Sequence, residues 1–239
     1  MNDINPPHKL ILFDMDGTLV HIPFVYRHSV RHALQTVYGL QLEDQLDPLV
    51  HRGNTQPNIF RAIGRMMGLS SDVIEARLPE AIRAQSAAAI SAMDHDLQGA
   101  ILPGVLPMLE RLGAAGHALG LVTGTVSAIT SVVLERTGLA RYFPVCACGD
   151  EGEERVDLLR LAIKRAQQTY GLEPVVDGLV VVGDAVRDIE AGKALGARVV
   201  AVATGAHPAD ALAEHSPDAV LPSFEDVDRA LDAILGPGR

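Results

Sequence analysis

The stretch Leu10-Ile11-Leu12-Phe13-Asp14-Met15-Asp16-Gly17-Thr18 passes from four apolar residues to two acids, a glycine and a hydroxyl. An uninterrupted apolar run of this length reads as a buried parallel strand, and open α/β sheets bind ligands at the C-terminal ends of such strands. Residues two apart on an extended chain face the same way, so Asp14 and Asp16 share one target before Gly17 permits a sharp turn. Two converging carboxylates repel unless a cation or a shared proton lies between them. The plainer alternative is an acidic surface turn, and the other strand ends decide between the two.

The chain around this stretch has 239 residues, which suits one α/β domain of ordinary size with an insertion. Hydrophobic residues make up 48% and aromatics only 4%, with no tryptophan, so the core falls to Leu, Val, Ile and Ala. Thirty acids against twenty bases give a formal charge of −10, which argues against nucleic acid or an anionic membrane as partner. No window approaches the roughly 18 apolar residues of a membrane span, and the first residues lack the basic flank and apolar run of a secretory signal. A cytoplasmic location is the simplest expectation. Cys146 and Cys148 point to one face of a strand and lack further zinc ligands nearby, so they read as small core residues or spare thiols.

After Thr18 the pattern becomes helical over roughly 20–95. Val30, Ala33, Leu34, Val37 and Tyr38 follow helical spacing up to Gly39, and Ile59, Ala62, Ile63, Met66 and Met67 repeat it up to Gly68. Asp72 with Glu75 is expected to open a third helix, and Pro79 to Met93 to form a fourth. Strand and helix then alternate as in a parallel sheet: strands at Ala118 to Val122, Leu179 to Val182 and Ala197 to Ala203, with helices carrying Met108, Ile129, Leu159 and Leu231. Three apolar strands thus end in polar groups, at Asp14, at Thr123 and at Gly183 with Asp184. Parallel strands bring those ends to one edge, which removes most of the case for a mere surface turn. Asp188 follows Asp184 by four residues across a helix start, so several carboxylates crowd together, and hard oxygen ligands favour magnesium over zinc.

Asp14, Met15, Asp16, Gly17, Thr18 and Leu19, then Thr123, then Gly183, Asp184 and Asp188 resemble, in order and spacing, the haloacid dehalogenase superfamily of phosphohydrolases. The likeness runs from about Lys9 to Leu235, and the helical stretch resembles the cap of the phosphoglycolate phosphatase and β-phosphoglucomutase branch. It implies a Rossmann-like parallel sheet with helices on both faces, formed by 1–19 and 96–239, and an all-helical cap domain at 20–95.

The resemblance also implies roles. Asp14 would attack phosphorus, and Asp16 would serve as general acid and base. Asp14, the Asp16 carbonyl, Asp184 and Asp188 would hold Mg2+. Thr18, Thr123, Gly124 and the amides of the helix after it would hold the phosphoryl oxygens. Many relatives carry lysine followed by proline at the third motif; here Glu153, Glu154, Arg155, Val156 and Asp157 stand instead, which makes Arg155 the phosphate-binding cation. Lys164, about 13 Å further along that helix, is out of reach. His21, and Arg52, Asn54 and Thr55 in a cap loop, are the expected specificity residues. The implied activity is a magnesium-dependent phosphatase of a small phosphorylated metabolite. A phosphomutase and a non-catalytic phosphate-binding regulatory module are the alternatives.

Overall fold

The computed structural model describes residues 9–41, 53–171, 178–205 and 207–236. Six parallel strands form one sheet in the order β3-β2-β1-β4-β5-β6. They are β1 (Leu10–Phe13), β2 (Ala118–Val122), β3 (Val145–Ala147), β4 (Leu179–Gly183), β5 (Arg198–Val202) and β6 (Ala219–Leu221). The chain winds outward through β2 and β3, then returns past β1 to β4, which makes β1 and β4 the point where the winding direction reverses. A crevice opens at such a point because the flanking loops diverge.

Alternation along the strands explains the two layers. Ile11 and Phe13 of β1 face α4 (Val105–Ala114), α5 (Ser127–Thr137) and α9 (Val227–Leu235), with Met108, Leu112, Val133 and Ile234 in the same core. Leu10 and Leu12 face the opposite core with Leu158, Leu159 and Ala162 of α6 (Arg155–Tyr170). Helix α7 (Val186–Ala194) and the short α8 (Ala209–Glu214) follow β4 and β5; Ile189 and Leu212 pack there on Val199 and Ala201.

Between β1 and β2 lie α1 (Pro23–Ala33), prolonged by a π-helical turn at Leu34–Tyr38, then α2 (Gln56–Met66) and α3 (Ser71–Ala92). They share a core of their own, in which Val30, Leu34 and Val37 meet Ile59, Phe60, Ile63, Leu78 and Ala81. Gly39 at φ +69° and Gly68 at φ +83° stop the first two, as their spacing predicts. The outgoing and returning connections touch: His21 N–H donates to the Ala100 carbonyl and Leu102 N–H to that of Leu19.

Two expectations are corrected here. The third and fourth helices are the single helix α3, with Pro79 inside it. Pro79 and Glu75, whose carbonyl loses its donor, are both exposed, while Leu78, Ala81 and Ala89 are buried. Water can serve the orphaned carbonyl, and burial on the other side outweighs the proline's cost of about 3 kcal/mol. Its N-cap is Ser70, whose hydroxyl accepts from the Val73 amide, and not the Asp72 position. Strand β6 and helix α8 are too short to carry a readable period in the sequence. Cys146 lies in β3 and Cys148 just beyond it; both thiols are free, and burial pushes that of Cys146 up to about 12. Among the described residues no helix is long and apolar enough to cross a membrane.

Candidate active site

Register brings the polar strand ends level. Phe13 pairs with Leu121 and with Val182, so Asp14 leaves β1 beside the ends of β2 and β4. The Asp14 amide donates to the Val182 carbonyl, and the Thr123 amide to that of Ala147. Gly17 adopts φ +83°, which lets the chain turn back on itself and donate from its amide to Val20.

Asp14, Asp184 and Asp188 each offer an oxygen within 4.8 Å of the others, the only such grouping of possible ligands among the described residues. Glycine makes room for these carboxylates. A Cβ on Gly205 would lie 1.6 Å from Asp184 Oδ2, one on Gly17 2.6 Å from it, and one on Gly183 2.4 Å from the Asp188 carboxylate. The Thr18 hydroxyl, fully buried, donates to Asp184 Oδ1 at 3.4 Å.

Arg155 begins α6 and is 5% exposed. Its Nε donates to Asp188 Oδ1 at 2.7 Å and its Nη2 donates to Asp14, while Nη1 is buried without a partner. Asp188 in turn accepts the Ala185 amide at the start of α7, at 3.1 Å. Burial pushes the Asp14 carboxyl up to about 6, with Arg155 opposing and Asp188 adding to the shift. Burial, then the charge of Asp14, pushes Asp16 up to about 7, against an amide bond from Ile22. Three carboxylates and one guanidinium leave two formal negative charges once all are ionised. An all-oxygen set with that residual charge fits a hard divalent cation.

A cavity of about 60 Å³ opens on this cluster. The sheet contributes Asp14, Asp16, Thr123, Gly124, Thr125, Arg155 and Asp184; the helical segment closes it with Tyr26, Val30, Gly53, Asn54, Gln56 and Ile59. Of the expected specificity residues, Asn54 lines it. Thr55 is buried beside it, bonded to the Glu153 carbonyl at 3.3 Å. His21 is exposed and does not line it, and Arg52 lies outside the described residues.

The amides after Thr123 differ from expectation. Thr125 N–H donates to Thr123 Oγ1, Val126 N–H to Gln56 Oε1 at 2.9 Å, and Ser127 N–H to Asp150 Oδ1. Three amides at the start of α5 are thus spent on internal bonds, and among the described residues the Gly124 amide has no such acceptor. Gln56 binds twice, since its own amide donates to the Gly124 carbonyl at 2.8 Å. Thr55 and Asn58 both donate to the Glu153 carbonyl, two residues before Arg155. Gln56 and Tyr26 escaped the sequence reading because each sits at a helix start, where apolar spacing carries no information about a polar contact. The run Asn54-Thr55-Gln56 ahead of Pro57 is the one local sign of a helix start built to meet something.

A family model described as haloacid dehalogenase-like hydrolase matches residues 11–202. The chain is 27% identical over 229 residues to a probable phosphatase, IndB, of Dickeya dadantii, covering 95% of this chain and 94% of the relative. It is 28% identical over 230 residues to a phosphoglycolate phosphatase of Synechococcus elongatus, covering 95% and 99%. The fold is similar to that of a β-phosphoglucomutase from Clostridium difficile, with TM-score 0.73, 16% identity and coverage of 95% and 97%.

Contact between the helical segment and the Thr123 turn leaves no room at Gly124, where a Cβ would meet the Asn54 carbonyl at 2.1 Å. Gly124→Ala is therefore expected to lift that segment off the turn, raising hydrogen exchange at the Gln56 amide by at least about tenfold while the β1 and β4 amides keep their protection.

Proposed function

The chain belongs to the haloacid dehalogenase-like hydrolase family, and on that premise we propose that it is a magnesium-dependent phosphatase of small phosphorylated metabolites. The observation that carries this reading is the meeting of Asp14, Asp184 and Asp188, with the Arg155 guanidinium bonded to Asp14 and Asp188 and its Nη1 buried without a partner.

Asp14, at the mouth of β1, is the nucleophile: a carboxylate oxygen attacks phosphorus and forms an aspartyl phosphate as the ester oxygen leaves. Asp16 gives that oxygen its proton and then accepts one from the water that hydrolyses the intermediate. A carboxyl raised to about 7 holds a proton in a useful fraction near neutral pH. Arg155 Nη1, the Thr123 hydroxyl and the Gly124 amide face the phosphoryl oxygens. Asp14, the Asp16 carbonyl, Asp184 and Asp188 would hold Mg2+, with Thr18 steadying Asp184. When bound, the ion supplies the positive charge that lets an anionic ester approach an anionic nucleophile. Residues 20–95 act as a cap over the site.

A single water needs about 10–15 Å³ of such space. A cavity of about 60 Å³ therefore holds a phosphoryl group and a short organic remainder.

Phosphate release from a panel of phosphorylated metabolites tests the assignment. Asp14→Asn is expected to lower it by at least about 10³-fold, roughly 4 kcal/mol of barrier, and chelation of divalent ions to abolish it until magnesium is restored. Undiminished turnover in that variant contradicts the mechanism.

Arg155→Met strands Asp14 and Asp188 without their counter-charge. In magnesium-free buffer at about pH 8, where both carboxyls are ionised, the variant is expected to lose about 3–5 kcal/mol of stability in urea titrations and to regain part of it on adding magnesium.

A further inference from the structure

Two of the residues lining the cavity, one from each wall, carry a buried polar side-chain atom with no hydrogen-bond partner among the described residues. One, Arg155 Nη1, belongs to the sheet side beside Asp14. The other is the hydroxyl of Tyr26, on the first turns of α1, in a side chain only 5% exposed. Val30 and Ile59 flank Tyr26 as apolar lining, and the Thr125 side chain lies beside it without completing a hydrogen bond.

A buried phenol with no acceptor is a cost to the folded state unless a ligand supplies one. Arg155, Thr123 and Gly124 already face the phosphoryl group, so the Tyr26 hydroxyl, on the far wall, is left to the organic half of the ester.

We propose that Tyr26 is a specificity residue whose hydroxyl donates to an oxygen, hydroxyl or carboxylate, on the carbon next to the ester carbon of a short-chain phosphate. This rests on the phosphatase reading of the same site. It assigns the substrate a second recognised oxygen within the small volume that the cap leaves, and it gives the helical segment a direct contact with substrate besides closing the cavity.

Three esters of matched length test it: ethyl phosphate, 2-hydroxyethyl phosphate and 2-phosphoglycolate, each assayed with wild type and Tyr26→Phe. The substitution removes the hydroxyl and leaves the ring in place. The inference expects kcat/KM to fall about 10- to 100-fold on one or both oxygen-bearing esters and less than about threefold on ethyl phosphate, with the melting temperature unchanged or higher. Which ester is affected tells a hydroxyl from a carboxylate. Equal losses on all three esters, or no loss on any, overturn the inference while leaving the phosphatase reading intact. A lowered melting temperature with unchanged substrate ratios shows that the hydroxyl serves Thr125 instead, and also overturns it. A wild-type protein that releases phosphate from none of these esters, nor from 4-nitrophenyl phosphate, removes the phosphatase reading and the inference with it.

Discussion

The buried guanidinium of Arg155, held between Asp14 and Asp188, is the interaction on which the site depends. Taking three ions out of water costs several kcal/mol each, and the arrangement is repaid only if geometry and charge are nearly complementary. The chain meets that demand with backbone. Gly17, Gly183 and Gly205 clear the space that the carboxylates of Asp184 and Asp188 fill, and the start of α7 gives Asp188 an amide donor. One arginine does not balance three carboxylates, and that shortfall of positive charge fits the cluster to a divalent cation.

The helical segment is tied to this cluster through its backbone as well as its side chains. Gln56 grips the turn that carries Thr123 and Gly124 from both ends, and Thr55 with Asn58 holds the Glu153 carbonyl just ahead of Arg155. The seat of the helical segment over the cavity and the positions of Thr123, Gly124 and Arg155 therefore rest on one set of contacts. Of the amides at the start of α5, that of Val126 is taken by Gln56 of the helical segment, while Thr123 and Asp150 take those of Thr125 and Ser127.

How far this was legible depends on the range of the forces involved. Leu10 to Phe13 and Leu179 to Val182 announce strands because burial on both faces demands unbroken apolar runs, and the acids after them announce a site because the chain spends buried volume on charge only where it is answered. Arg155 was legible as a cation at a helix start. Its seat between two aspartates was not, since that depends on how α6 lies across the sheet. Val30 and Ile59 show the limit of periodicity: both read as core, both pack in the core of the helical segment, and both also line the cavity. Helical spacing marks which face turns inward and says nothing of whether packed side chains or a ligand fills the space it meets. Pro79 was read as a boundary because local propensity is visible in the sequence and the packing that overrules it is not.

Anomalous diffraction from crystals grown with manganese, a close mimic of magnesium with a strong signal, tests the central claim most directly. The account predicts one strong peak within coordination distance of Asp14 and Asp184, with Asp188 in or next to the coordination sphere and Arg155 still bonded to Asp14 or Asp188. A peak elsewhere with this cluster empty, or an Arg155 that swings out and leaves the carboxylates to the ion alone, would contradict it.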